Sequence, residues 1–162
     1  MKLFTNKQIT NLVWLPVLLL TLSACDSKNT TSSDTQKASE VITVVEPYIR
    51  AMPPGQPVTA MFLQLNNASA DSHALVKAES DVSKNVELHE HKMQDGMMKM
   101  GQVAQIDLAP NQTTALKPGG YHIMLIGLKN DLPEGQNVDV NLVFQDGSNI
   151  KIQAPVKKIQ TN

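Results

Sequence analysis

From residue 41 onward, apolar and polar residues alternate along the chain with a period of two. This is the pattern of half-buried strands, whose successive side chains point to opposite faces. It predicts strands at 41–45, 59–65, 74–78, 85–91, 102–106, 121–126, 137–144 and 149–153. Turn-forming residues separate them: Pro53-Pro54-Gly55, Asn66-Asn67, Asp95-Gly96, Lys117-Pro118-Gly119-Gly120 and Asp146-Gly147. Asp-Gly between two alternating runs is a strong hairpin signal. No stretch after residue 40 carries a long period of 3.6, so the expected fold is all-β, a sandwich or barrel of short strands.

The first 40 residues do not share this pattern. Lys2 and Lys7 precede an apolar run at 12–22, which is short for a membrane span, for which about 20 apolar residues are needed. The run closes on Leu22-Ser23-Ala24-Cys25, which resembles a bacterial lipobox. Residues 1–24 are therefore expected to be a lipoprotein signal peptide, with Cys25 as the lipidated residue. Cys25 is the only cysteine, which excludes an intrachain disulfide, and lipidation accounts for a lone thiol in an exported chain. Residues 26–40 hold no aromatic residue and no aliphatic one larger than Ala38. Such a segment buries too little apolar surface to offset its ordering entropy. Residues 25–40 are expected to be a flexible tether with a mean span of about 20 Å. The folded domain is expected at 41–159, one domain with one core.

Charge narrows the partners. The chain carries 14 Lys and Arg against 15 Asp and Glu. Losing Lys2 and Lys7 with a signal peptide makes it two units more negative, which is not the balance of a nucleic-acid-binding domain. The domain shows no thiol nucleophile, no Ser-His-Asp constellation and no phosphate-cradling glycine loop, so an enzyme is not expected.

The residues suited to chemistry are clustered. His89, His91, His122, Met93, Met97, Met98, Met100 and Met124 all fall within 36 residues, leaving His73, Met52 and Met61 as the other His and Met of the domain. Alternation puts His89 and His91 on one face of their strand, with Val86, Leu88 and Glu90 on the other. His122 and Met124 likewise share a face. Thioether sulfur is a soft neutral donor that suits Cu(I) and binds Zn(II), Mg(II) or Ca(II) poorly. A mixed His and Met set therefore selects Cu(I) by ligand type, and neutral ligands suit a carrier that must release its ion. A blue-copper redox centre would require a Cys thiolate in the domain. The alternative is that these residues merely pack. Met52 and Met61 are read as core, and His73 as a surface or turn residue.

The spacing His89, ten residues, Met100, twenty-one residues, His122, one residue, Met124 resembles the hallmark of the PCu(A)C family of periplasmic copper chaperones. The segments Tyr48-Ile-Arg-Ala-Met-Pro-Pro-Gly55, Gly96-Met-Met-Lys-Met100 and Leu116-Lys-Pro-Gly-Gly-Tyr-His-Ile-Met-Leu125 are similar to that family too. The resemblance implies a cupredoxin-like Greek-key barrel or sandwich, and Cu(I) held by His89, Met100, His122 and Met124 near the surface. It also implies a monomer that delivers copper toward the CuA centre of cytochrome c oxidase, alongside a Sco-type thiol protein. Its membrane contact would be through the N-terminal lipid only. Asp26 after Cys25 resembles an inner-membrane retention signal, which implies the periplasmic face of that membrane. His91 stands where relatives often carry Met; it is read either as an exposed His with no role or, with Met93 and Met98, as an auxiliary ligand. The family's His/Met-rich tail is absent, so one copper site is expected. Copper buffering without a dedicated acceptor, and a metal-free β-sandwich assembly module, are the alternative functions.

Overall fold

A computed structural model describes residues 36–94 and 96–158. The signal-peptide reading, Cys25 and residues 25–35 of the tether lie outside the described residues. The elements are one helical turn, α1 (Ala38–Val41), and ten strands: β1 (Ile42–Arg50), β2 (Val58–Asn67), β3 (His73–Glu79), β4 (Ser83–Gln94), β5 (Met97–Gln102), β6 (Ile106–Leu108), β7 (Gln112–Leu116), β8 (Tyr121–Leu128), β9 (Asn137–Phe144) and β10 (Asn149–Lys157). Among the described residues no helix is long and apolar enough to cross a membrane.

The strands run in the order β5-β4-β8-β7-β2-β1-β10-β9-β3-β6. The two halves meet at a short parallel pairing of Ile49 and Arg50 with Val156 and Lys157. The first half holds β5, β4, β8, β7, β2 and β1, and the second holds β10, β9, β3 and β6. Strands of the two halves that share no hydrogen-bonded ladder, such as β3 with β4 and β2 with β6, lie against each other. The halves thus face each other as a β-sandwich, one of the two forms that the alternation predicts and that the resemblance implies as cupredoxin-like. Met61, Leu63 and Leu65 of β2, Leu88 of β4, and Ile123 and Leu125 of β8 point inward from the first half. Leu75 of β3, Val138, Leu142 and Phe144 of β9, and Ala154 and Val156 of β10 meet them from the second. Each fully buried Leu, Ile or Phe stabilises the fold by about 1.5–3 kcal/mol. Every second residue of β2, β4 and β8 is thereby committed to the core, and the residues between them face outward from the first half.

The structure differs from the sequence expectation in four places. The strand expected at 102–106 is divided: β5 ends at Gln102, and β6 begins at Ile106 on the other half, paired with β3. The chain leaves β5 at Val103, whose amide bonds the Leu88 carbonyl at 2.9 Å. Strand β7 was not expected, because Gln112-Thr-Thr-Ala115 lacks an apolar alternation. The folded domain starts three residues early. Ala38 is fully buried, and its amide donates to Asp146 Oδ2 at 2.7 Å, so 38–40 are not tether. His73 is buried, not a surface residue. Its Nε2 lies 3.2 Å from Ser69 Oγ, in a turn built on Asn67, whose side chain donates to the carbonyls of Asp71, Leu108 and Ala109. Four polar groups satisfying one another make this burial tolerable.

Candidate metal centre

Three strands bring the chemically active residues together on the outward face of the first half. On β4 and β8, His89 lies directly opposite His122, and Glu87 opposite Met124. On β4 and β5, His91 lies opposite Met100. The imidazoles of His89 and His122 stand 5.8 Å apart, and that of His91 stacks on His122 at 5.0 Å. Under them lies an aromatic floor. Phe62 of β2 is 6.3 Å from the His122 ring and 5.3 Å from Tyr48, and the Arg50 guanidinium lies over its ring at 5.7 Å. Tyr48 reaches this face because β1 breaks register between Val45 and Tyr48, around Glu46 at φ +49 and Pro47, which has no amide to donate. A pocket of about 300 Å³ opens here, lined by Met52, Phe62, His91, Met100, His122 and Met124 among others.

The proton positions on the two ring systems follow from their partners. His122 is 3% exposed. Its Nδ1 lies 3.0 Å from the carbonyl of Gly120, which can only accept, so Nδ1 carries the proton and Nε2 is a free lone pair. Burial lowers the pKa of His122, and the neighbouring His91, His89 and Arg50 lower it further, against the opposing pull of the Gly120 carbonyl. The ring is therefore neutral at pH 7. His122 Nε2 faces Met100 Sδ at 3.3 Å. With tetrahedral bond lengths of about 2.0 Å to nitrogen and about 2.3 Å to sulfur, two donors on one ion sit about 3.5 Å apart. The Nε2–Sδ pair is thus already close to chelating distance.

His89 has the opposite tautomer. Its Nε2 lies 2.8 Å from Glu87 Oε2, so Nε2–H donates to the carboxylate and Nδ1 is the free lone pair. That Nδ1 is buried without a hydrogen-bond partner, as is Nδ1 of His91. A buried unpaired acceptor costs about 1–3 kcal/mol, which an ion bound there would offset. Carboxylate or carbonyl partners on the far nitrogen are what orient metal-binding imidazoles.

The turn before β8 is encoded in Lys117-Pro-Gly-Gly120. Gly120 N–H bonds the Lys117 carbonyl at 3.0 Å with Gly119 at φ +80, which is a type II turn with Pro and Gly at the two positions that favour them. The turn aims the Gly120 carbonyl at both His122 Nδ1 and the His91 amide, the latter at 3.1 Å.

Of the residues singled out from sequence, the structure brings Met100, His122, Met124 and His91 into one pocket. His89 does not line that pocket; its ring lies beside that of His122. Met93 and Met98 lie further along the hairpin, opposite each other and exposed. Met61 is in the core, as expected, while Met52 lines the pocket instead of packing inside. Sequence reasoning missed Glu87, Gly120 and the Phe62 floor. Glu87 could have been found, since alternation puts it on the His89 face. Among the described residues no three His, Cys, Asp or Glu side chains form a group placed to hold a metal.

Comparison with known proteins agrees with this architecture. Residues 42–156 match the family described as "Putative lipoprotein LpqE-like". The chain belongs to the LpqE-like family. This LpqE-like chain is 32% identical over 142 residues to "Putative lipoprotein Lxx21020" of Leifsonia xyli subsp. xyli, covering 86% of this chain and 84% of that protein. Among solved structures, the Cu(I) form of DR1885 from Deinococcus radiodurans shares 30% identity at a TM-score of 0.61, over 73% of this chain and 78% of that one. A copper-bound PCuAC domain from PmoF2 superposes with a TM-score of 0.62, over 73% and 93%; at 22% identity that likeness shows the fold.

Proposed function

We propose that this LpqE-like chain is a copper(I) carrier. The ion is cargo, held by His89 Nδ1, His122 Nε2, Met100 Sδ and Met124 Sδ. One observation carries the reading: the Nε2 of His122, bare because burial keeps the ring neutral and the Gly120 carbonyl holds its one proton on Nδ1, stands 3.3 Å from a methionine sulfur on another strand. A soft thioether beside a neutral imidazole, which itself suits several metals, favours Cu(I) over harder divalent ions. The Cu(I)-bound relative with the same fold supports this.

Release is built into the same geometry. All four donors are neutral, so the ion is held without a countercharge from the ligands. Met100 is half exposed, while His122 is buried. An incoming ligand can therefore displace the Met100 thioether first while the imidazoles still hold the ion. This exchange needs no redox step, and a carrier role is not an enzyme's. By family resemblance the acceptor is the CuA centre of cytochrome c oxidase, with a Sco-type protein assisting. The domain would act on the periplasmic face of the inner membrane, tethered through lipidated Cys25 and residues 25–37. Deleting the gene should lower oxidase activity at low copper and restore it on copper supplementation. Normal oxidase with heightened copper sensitivity would contradict delivery and favour buffering.

A further inference from the structure

Four of the five large apolar side chains exposed among the described residues are methionines of one hairpin, Met93, Met97, Met98 and Met100. Core packing cannot account for them. The hairpin is β4 and β5, joined through Gly96 at φ +75, and β5 is the terminal strand of the sheet. Its register pairs His91 with Met100 and Met93 with Met98. Strand alternation sets these four on one face and Lys92, Lys99 and Met97 on the other. The face that continues the metal centre thus carries only imidazole and thioether donors. Met93 and Met98 are 65% and 54% exposed. Directly opposed residues hold their Cβ atoms about 4.5–5.5 Å apart, within reach of one ion for two flexible thioether side chains. The next pair inward, His91 and Met100, lies about 7 Å along the strands.

We propose that Met93 and Met98 form a second, weaker Cu(I) site at the hairpin end, which receives the ion and passes it along the ladder to Met100 and the centre. This rests on the reading that the centre takes Cu(I). The transfer is ligand exchange: a bond from copper to Met100 sulfur forms as one to Met98 sulfur breaks. Copper stays monovalent, and a thioether has no proton to lose. Two neutral sulfurs hold Cu(I) more weakly than the mixed centre, so the ion moves inward. The hairpin pair would then serve as an antechamber to the stronger centre.

The test uses the full chain with 13C-methyl methionine, titrated with Cu(I) under anaerobic conditions beyond one equivalent and followed by NMR. The first equivalent should shift the Met100 and Met124 methyls. The second should shift Met93 and Met98 and leave Met97 unmoved. Met93→Leu/Met98→Leu, both at exposed positions, should abolish the second phase, keep the first, and slow loading from chelator-held Cu(I) several-fold. Met97→Leu should change neither phase. If Met100 and Met124 shift while Met93 and Met98 do not, the hairpin site is wrong and the centre stands. If Met97→Leu removes the second phase as fully as the double variant, the face assignment is wrong and the proposal falls. If Met100 and Met124 do not respond, the copper reading fails and this inference with it.

Discussion

His89 and His122 are each oriented by a group outside the proposed ligand set. Glu87 fixes which nitrogen of His89 is bare, and Gly120 does the same for His122. Losing such an oriented partner typically weakens metal binding about 10–100-fold. Glu87→Ala should therefore weaken Cu(I) binding within that range in a chelator competition, although Glu87 is no ligand. Met124→Leu keeps shape and removes the sulfur, so it should weaken Cu(I) by at least about tenfold while the thermal midpoint holds. The lowered pKa of His122 also has a consequence for stability. As pH falls, the unfolded chain takes up this proton first, near pH 6.5. Stability is complete above that value and declines as pH drops toward the folded pKa. Denaturant melts at pH 7 and pH 5 should show the loss, and His122→Gln should reduce the difference between them. At this scale the spacing of His89, Met100, His122 and Met124 was legible in the sequence, and the structure sets these four on neighbouring strands. Alternation put Glu87 on the His89 face, but neither its bond to that ring nor the aim of the Gly120 carbonyl was legible, since both depend on how the strands pair.

At the scale of the strand, the site exists because alternation splits each element between two tasks. Ile123 is fully buried in the core, and its neighbours His122 and Met124 face the pocket. Ile123→Ala should cost about 2–5 kcal/mol of stability with little change in the affinity of the folded protein, the reverse of Met124→Leu. Comparing denaturant midpoints and Cu(I) competition for the two variants separates the faces. The period-two pattern revealed β2, β4, β8, β9 and β10 because each buries one face in a core. It missed β7, which is recruited by backbone pairing to β2 with mostly exposed Gln, Thr and Ala. It also ran β5 and β6 together, because nothing in Gln102-Val-Ala-Gln-Ile106 marks the point where the chain changes sheets. Composition likewise hid α1, which is held by a distant group. For Asp146, burial raises the pKa, but hydrogen bonds from the Ala38 amide and from the amide and hydroxyl of Ser148 outweigh it and hold the carboxyl low. The ionised side chain thus anchors the start of the domain, with a contribution present above the unfolded carboxylate pKa and lost as pH falls through the folded one.

Across the whole molecule, the sandwich fixes three strands so that donors distant in sequence meet on a surface instead of in the interior. The core between the halves makes the framework rigid, while the outward face of β4, β5 and β8 leaves a sulfur exposed for exchange. The central claim is the ligand set that this framework assembles. X-ray absorption at the copper edge on the Cu(I)-loaded chain measures it directly. The spectrum should show a monovalent ion with two imidazole nitrogens and two sulfurs, and one sulfur fewer in Met124→Leu. A first shell of nitrogen and oxygen alone, or a spectrum unchanged by Met124→Leu, would contradict it.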